Sequence, residues 1–289
     1  MTTDLEFARR LADRADEIAM RYFASGAIAA RAKSDGSPVT DADEEIEHTL
    51  RSLIRRERGG DAFLGEESGA HGHGDRVWIV DPLDGTASFV AGEPEWSTLI
   101  GLAEHGTVSL GLVSAPACAR RWWAARGNGA WTNALPTPGH ALPHPHAAPQ
   151  RLAVVGAERL RDAAVGIWPP PGRLTPRHAA IAARIAATAG RTVPALDWTG
   201  PPPATRIPKP STGTGTCHGG LLVATNQLDA FLLFGAGAWD VAALVPIVEE
   251  AGGVSGGLDG SARADTAIAL FAANRALYRQ ILDVVQQVA

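Results

Sequence analysis

An apolar run, Val77-Trp-Ile-Val80, leads without interruption into Asp81-Pro-Leu-Asp-Gly-Thr86, and few backbones satisfy both pieces. The first piece reads as a strand. Pro82 has no N–H to give to a ladder, so the strand is expected to stop there. Asp84 then follows Asp81 across a turn that Pro82 and Gly85 tighten, which lets both carboxylates face one small volume. Two like charges that close are costly unless a cation sits between them. Hard oxygens of this kind suit Mg²⁺, which prefers carboxylate, water and phosphate ligands. In the same turn the N–H groups of Gly85 and Thr86 are free to point at an anion, and if Thr86 opens a short helix its N-terminus is a phosphate site. Taken alone, the segment is equally a plain turn, because Asp, Pro and Gly are all turn formers.

Three further stretches carry acids in unusual settings: Thr40-Asp-Ala-Asp43, Leu64-Gly-Glu-Glu-Ser68 and Trp239-Asp240. Each has an ordinary explanation. Asp43 can be a first-turn acid, Glu66 and Glu67 a solvated loop, and Asp240 a helix N-cap. The four stretches together favour a metal site over four separate coincidences.

The rest of the chain supplies a frame for them. Leu5, Ala8, Leu11, Ala12, Ala15, Ile18, Ala19, Tyr22 and Phe23 recur at helical spacing, with Thr3 and Glu6 as a capping box. A second helix is expected from Thr40, ended by Gly59-Gly60. Strands are expected at 77–80, 98–103, 108–114 and 121–125, with a hairpin turn at Glu104-His-Gly106. Residues 136–149 are rich in Pro and His and read as a linker, so one domain is placed at 1–150 and a second at 151–289. In the second, strands are expected at 152–155, 230–234 and 268–272. Helices are expected at 178–189, 219–224, 240–251 and 275–288, with a kink at Pro246. Mixed strands and helices imply a layered α+β or α/β fold. His71 and His73 fall in what reads as a mobile loop beside the acid pair. His140, His144 and His146 lie in the linker.

Composition excludes some classes. A net charge of −5 argues against a nucleic-acid binder. No apolar run reaches membrane-spanning length. Cys118 and Cys217 have neither metal nor disulfide spacing, and Met1 to Arg10 has no signal-peptide core, so the cytoplasm is the expected compartment.

In order along the chain, Lys33 with Ser37-Pro-Val-Thr-Asp-Ala-Asp43, Gly65-Glu-Glu-Ser68, Trp78 to Thr86, and Trp239-Asp-Val-Ala-Ala243 followed by Glu250-Ala-Gly-Gly253 resemble the inositol monophosphatase superfamily. Val113-Ser-Ala-Pro-Ala117 and Arg121-Trp-Trp-Ala-Ala-Arg-Gly127 look most like actinobacterial histidinol-phosphate phosphatases. The resemblance implies a layered αβαβα sandwich, commonly dimeric, hydrolysing a small phosphate monoester with two or three Mg²⁺ ions. It implies Glu66, Asp81 and the Leu83 carbonyl around one ion, Asp81, Asp84 and Asp240 around a second, and Glu66 near a third. It further implies Asp43, Glu67 and Thr86 around the attacking water, and phosphate on the Gly85 and Thr86 amides beside Asp84.

The chain departs from that pattern in three places. Gly-Thr-x-Asn-Phe reads Gly85-Thr-Ala-Ser-Phe89, and Gly-Ser-x-Ala reads Gly215-Thr-Cys-His218. The acid commonly found seven positions before the last metal aspartate, where it reads substrate hydroxyl or amine groups, is Leu233. None of these touches the ligand set; all bear on the substrate. The stretch 194–215, with Trp198, Arg206 and Lys209, is expected to form an unusual loop over the pocket. Alternatives are a histidinol-phosphate phosphatase, a specialised-metabolism phosphatase, a phosphatase of nucleotide-type bisphosphates, and a non-catalytic binder of a phosphorylated metabolite.

Overall fold

The computed structural model describes residues 3–26, 28–33, 36–134, 148–200, 219–258 and 268–288. Helix α1 (Asp4–Ser25) opens with the expected capping box: the Glu6 N–H donates to Thr3 Oγ1 at 3.2 Å, and the Thr3 N–H donates to Glu6 Oε2 at 2.8 Å. A small hairpin, β1 (Ala30–Ala32) and β2 (Pro38–Thr40), leads into α2 (Asp41–Glu57). That helix stops at Arg58, one residue before the glycine pair.

An eight-stranded sheet follows. Its strands are β3 (Ala62–Gly65), β4 (Gly69–His71), β5 (Arg76–Asp84), β6 (Ser97–Glu104), β7 (Thr107–Ala115), β8 (Arg120–Ala125), β9 (Ala130–Ala134) and β10 (Gln150–Arg151), with α3 (Thr86–Val90) between β5 and β6. They lie in the order β10-β9-β8-β7-β6-β5-β3-β4. The second sheet runs β12-β11-β13-β15-β14. Its strands are β11 (Ala164–Trp168), β12 (Arg191–Val193), β13 (Ala230–Phe234), β14 (Val254–Gly257) and β15 (Ile268–Ala272). The remaining helices are α4 (Pro176–Thr188), α5 (Gly219–Ala224), α6 (Ala238–Val241), α7 (Leu244–Glu250) and α8 (Arg275–Gln286).

These elements stack in five layers, αβαβα. Helices α1 and α2 cover the outer face of the first sheet. Helices α5 to α7 lie between the sheets, and α4 and α8 close the far side. Both faces of the first sheet are therefore dry, and alternation sorts one apolar residue from the next instead of apolar from polar. Ile100 and Trp123 face α1 and α2, while Leu99 and Trp122 face the middle layer. Among the described residues no helix is long and apolar enough to cross a membrane.

Several expectations are corrected. Residues 152–155 are not a strand. The Leu152 N–H still reaches the Ala130 carbonyl, but the Val154 N–H goes to Ala251 and that of Val155 to Asn226 Oδ1, so the chain leaves the sheet edge. The helix expected over 240–251 is two helices broken at Ala242–Ala243, because Pro246 has no N–H for the Ala242 carbonyl. His71 is on β4, bonded to Ser68 and Arg51, instead of in a mobile loop. Trp198 is 5% exposed in the outer core with its Nε1–H on Thr192 Oγ1, so it is no part of a pocket wall. Arg206, Lys209, Cys217, the variant motif at 215–218, and His140, His144 and His146 lie outside the described residues.

Candidate metal and phosphate site

Strand β5 does not stop at Pro82. It continues to Asp84 through a bulge: Asp81 pairs with Leu99 and Asp84 with Ser97, three steps on one strand against two on the other. In a regular strand, residues three apart point to opposite faces. The extra residue of the bulge undoes that and turns Asp84 onto the side of Asp81. The bulge is fastened by the Leu83 N–H on Asp81 Oδ1 at 2.9 Å and by Thr98 Oγ1–H on the Pro82 carbonyl at 2.8 Å. Proline is tolerated here because a bulge leaves one N–H position without a ladder partner.

Asp240 arrives from the second half of the chain. It is the third residue of α6 and accepts the Gly237 N–H at 2.6 Å, so the N-cap is Gly237. Two paired glycines on the first sheet, Gly101 and Gly111, let this layer come close. A Cβ on Gly101 would lie 2.8 Å from Ala242 Cβ, and one on Gly111 would lie 2.0 Å from the Ala243 carbonyl oxygen. The result is that Asp81, Asp84 and Asp240 bring ligand atoms within 4.8 Å of one another. Asp81 and Asp84 are 1% and 5% exposed. Three hard anionic oxygens in so small a volume fit a divalent cation.

Gly85 caps α3 in the left-handed region, φ 89°, and a side chain there would meet the Glu95 carbonyl at 2.9 Å. No side chain caps the start of α3, which opens toward the acids. An aromatic cluster holds the helix in place: Phe89 meets Trp96 edge-on with centroids 5.0 Å apart, and Phe23 of α1 packs on both. Such contacts are each worth about 0.5–1.5 kcal/mol beyond burial. Thr86 Oγ1 sits 3.0 Å from the Leu83 carbonyl and 3.3 Å from Asp43 Oδ1. Asp43 is fully buried and accepts both the N–H and the hydroxyl of Thr40. Burial raises its pKa against those bonds, and the Glu66 charge adds to the rise.

Glu66 lines the same cleft, but its Oε1 takes a 2.7 Å bond from Lys33 Nζ, as does Oε1 of Glu67. Burial pushes Glu67 up to about 7 despite Lys33, with the Glu66 charge adding. Burial pulls Lys33 down, but the two carboxylates prevail and hold it above the ordinary lysine range. Glu47 is a residue that sequence reading passed over. It is buried on α2, accepts the N–H groups of Glu67 and Ser68, and fills the space where Gly65 lacks a side chain. Its signal was an acid four residues after Asp43, beside the apolar stripe of a helix.

The cleft, about 330 Å³, is closed on the other side by Trp168, Pro169, Arg173, Leu233 and Phe234. Leu233 thus does stand on the wall facing the acids. Trp168 and Arg173 had no recognisable signature in the sequence.

The layering and the acid cluster are those of a metal-dependent phosphomonoester hydrolase. A family model described as the inositol monophosphatase family matches residues 1–289, and the chain belongs to that family. It is 37% identical over 265 residues to a histidinol-phosphatase of Mycobacterium tuberculosis, covering 90% of this chain and 89% of that one. A histidinol-phosphatase of Streptomyces coelicolor is 36% identical over 266 residues, with 89% and 87% covered. A solved structure of an IMPase from Thermotoga maritima matches with a TM-score of 0.73 at 26% identity, over 99% of this chain and 97% of that chain. The sandwich expected from the resemblance is the one observed, and the enzyme is a phosphoric monoester hydrolase acting on a small phosphorylated substrate.

Proposed function

We propose that the chain hydrolyses a small polyol, amino-alcohol or sugar phosphate with two or three Mg²⁺ ions held by Asp81, Asp84 and Asp240, together with Glu66 and the Leu83 carbonyl. The convergence of three carboxylates within 4.8 Å carries this reading. Bound there, the ions supply positive charge against the phosphate and leaving oxygens and lower the pKa of the attacking water.

The chain's own groups do the rest. The Gly85 and Thr86 amides at the start of α3 hold phosphate oxygens, and Asp84 stands beside them. The Thr86 hydroxyl gives its hydrogen to Asp43 or to the Leu83 carbonyl, which leaves its lone pairs to accept from, and so orient, the attacking water. Asp43 and Glu67 flank that position and take up its proton. Glu47 fixes Glu66 and Glu67 through the turn that carries them. Lys33 holds both carboxylates and must yield Glu66 for it to serve as a ligand.

The test is phosphate release from a panel of monoesters with and without Mg²⁺. Metal-dependent release from at least one ester is expected; no release from any would overturn the reading. Histidinol phosphate belongs in the panel because of the 37% identical relative. Against it stands the apolar Leu233, which offers a cationic amine no counter-charge. The reading extends to a cytoplasmic homodimer, to be checked by sedimentation and cell fractionation.

A further inference from the structure

The two walls of the cleft differ in charge. Glu66, Asp81 and Asp84 come to the cleft from the first sheet and Asp240 from α6. The ends of β11 and β13 bring Trp168, Leu233 and Phe234, and the charged residue beside them is Arg173. Arg173 follows β11 in a turn closed by its own N–H on the Pro170 carbonyl at 3.3 Å. Its guanidinium carbon lies 5.9 Å from the centroid of the Trp168 ring. The side chain is exposed, and among the described residues it has no carboxylate partner. A guanidinium over an indole gains a modest cation–π attraction. That contact takes up none of the N–H donors as hydrogen bonds, and the guanidinium fork matches carboxylate and phosphate oxygens.

We propose that Arg173 selects phosphate monoesters whose alcohol portion carries a second anionic group, a carboxylate or a second phosphate. This rests on the phosphatase reading above. The scissile phosphate is already provided for on the opposite wall by the Gly85 and Thr86 amides, so Arg173 is left for the leaving alcohol. Leu233 removes the charge that would favour an amine there, and Phe234 and Trp168 complete a wall that accepts methylenes. A cationic alcohol would meet Arg173 with like charge and Leu233 with none.

Four esters on one three-carbon skeleton test this: 3-hydroxypropyl phosphate, 3-aminopropyl phosphate, 3-phosphooxypropanoate and propane-1,3-diol bisphosphate, each with Mg²⁺. For the wild type, kcat/KM should be highest for the carboxylate or the bisphosphate, and which of the two leads identifies the anion. The amine should be poorest. R173M, which keeps an apolar stem, should lower the ratio of anionic to neutral kcat/KM by about 10- to 100-fold, the worth of a charged hydrogen bond. R173K should keep part of the ratio, having charge without the fork. Circular dichroism of both variants checks that the fold is retained. A wild-type preference for the neutral or aminated ester would overturn the inference. So would an unchanged ratio in R173M, which would make Arg173 a solvated surface residue. An equal loss across all four esters would place it on the scissile phosphate and also overturn the inference. If the wild type cleaves none of them, or cleaves them in another order, while releasing phosphate from another monoester of the panel above, only the inference falls; release from no monoester at all fells the phosphatase reading and this inference with it.

Discussion

The wall built from Asp81 to Thr86 and the wall built around Trp168, Arg173 and Leu233 face each other across one cleft under different constraints. On the first, the bulge, the helix and the Thr86 hydroxyl are each fixed by specific contacts. The bulge is held by Asp81 and Thr98, α3 by an aromatic cluster, and Thr86 by contacts with Asp43 and Leu83. On the second, the chain presents an exposed arginine and, packed into the core behind it, a leucine where the resemblance leads one to expect an acid. On the reading proposed above, the first wall serves the part common to all phosphate monoesters, and the second the part that differs between them. Substitutions on the first should therefore change turnover for every substrate, whereas substitutions on the second should change the order among substrates.

The largest effect should come from Asp84→Asn. It removes one of three converging charges, and metal-dependent turnover should fall by about 10²- to 10³-fold on every ester, as for loss of a preorganised electrostatic group. The metal-free fold should remain or gain stability, because a like-charge repulsion is relieved. Steady-state kinetics with a thermal melt checks both. Retained turnover would show that these carboxylates hold no catalytic ion.

A second break acts from outside the cleft. Gly111→Val would drive a side chain into the Ala243 carbonyl and push the middle layer off the first sheet, carrying Asp240 with it. A displacement of about 1 Å at a reacting centre costs about 10²-fold, and overpacking of this kind costs about 1–3 kcal/mol of stability. Gly101→Ala, which faces the softer Ala242 Cβ at 2.8 Å, should do less on both counts. If Gly111→Val lowered stability without lowering turnover, Asp240 would not depend on this close approach.

On the second wall, Leu233→Glu should leave the preference, more than the rate, altered. The added carboxylate should raise kcat/KM for an aminated ester relative to a neutral one by up to about fivefold, the range of a partly exposed ion pair. An unaltered ratio would mean that the leaving alcohol lies elsewhere.

How much of this was legible follows the same division. Asp81, Asp84 and the turn between them could be read from Pro82 and Gly85, because those residues restrict the backbone locally. The conclusion that Pro82 ends the strand was wrong in detail, since a bulge spares a proline the missing donor. The arrival of Asp240 depends on Gly101 and Gly111, which read only as small residues inside strands until the layer resting on them is known. The helix containing Asp240 was overextended because a Pro246 that breaks a bond back to Ala242 looks, in sequence, like one that merely kinks it. Trp168 and Arg173 were invisible for a stronger reason: their neighbours in space lie on β13, about 60 residues away, and no local pattern announces such a meeting.

The smallest effect concerns how Lys33 and the ions compete for one pair of carboxylates. Burial raises Glu67 to about 7, so below that pH the metal-free protein holds it largely protonated beside Lys33. For a raised acid, the associated stability is fully present below the ordinary value of 4.5 and is lost as pH climbs through about 7. Metal-free protein should accordingly lose stability relative to a Glu67→Gln variant across that window. Ion binding favours the charged form, so magnesium uptake should release protons and weaken by about fourfold from pH 8 to pH 6.5, the change in ionised fraction of a group titrating near 7. Titration calorimetry in two buffers of different ionisation enthalpy measures both quantities. In Glu67→Gln the pH dependence should flatten, while Lys33→Met, which frees Glu66 but also removes the cation that lowers Glu67, should tighten binding only at alkaline pH where Glu67 is ionised. Proton release unaltered by Glu67→Gln would mean that another group controls uptake. Weaker binding in Lys33→Met at alkaline pH would mean that Lys33 organises the carboxylates for the ions instead of competing with them.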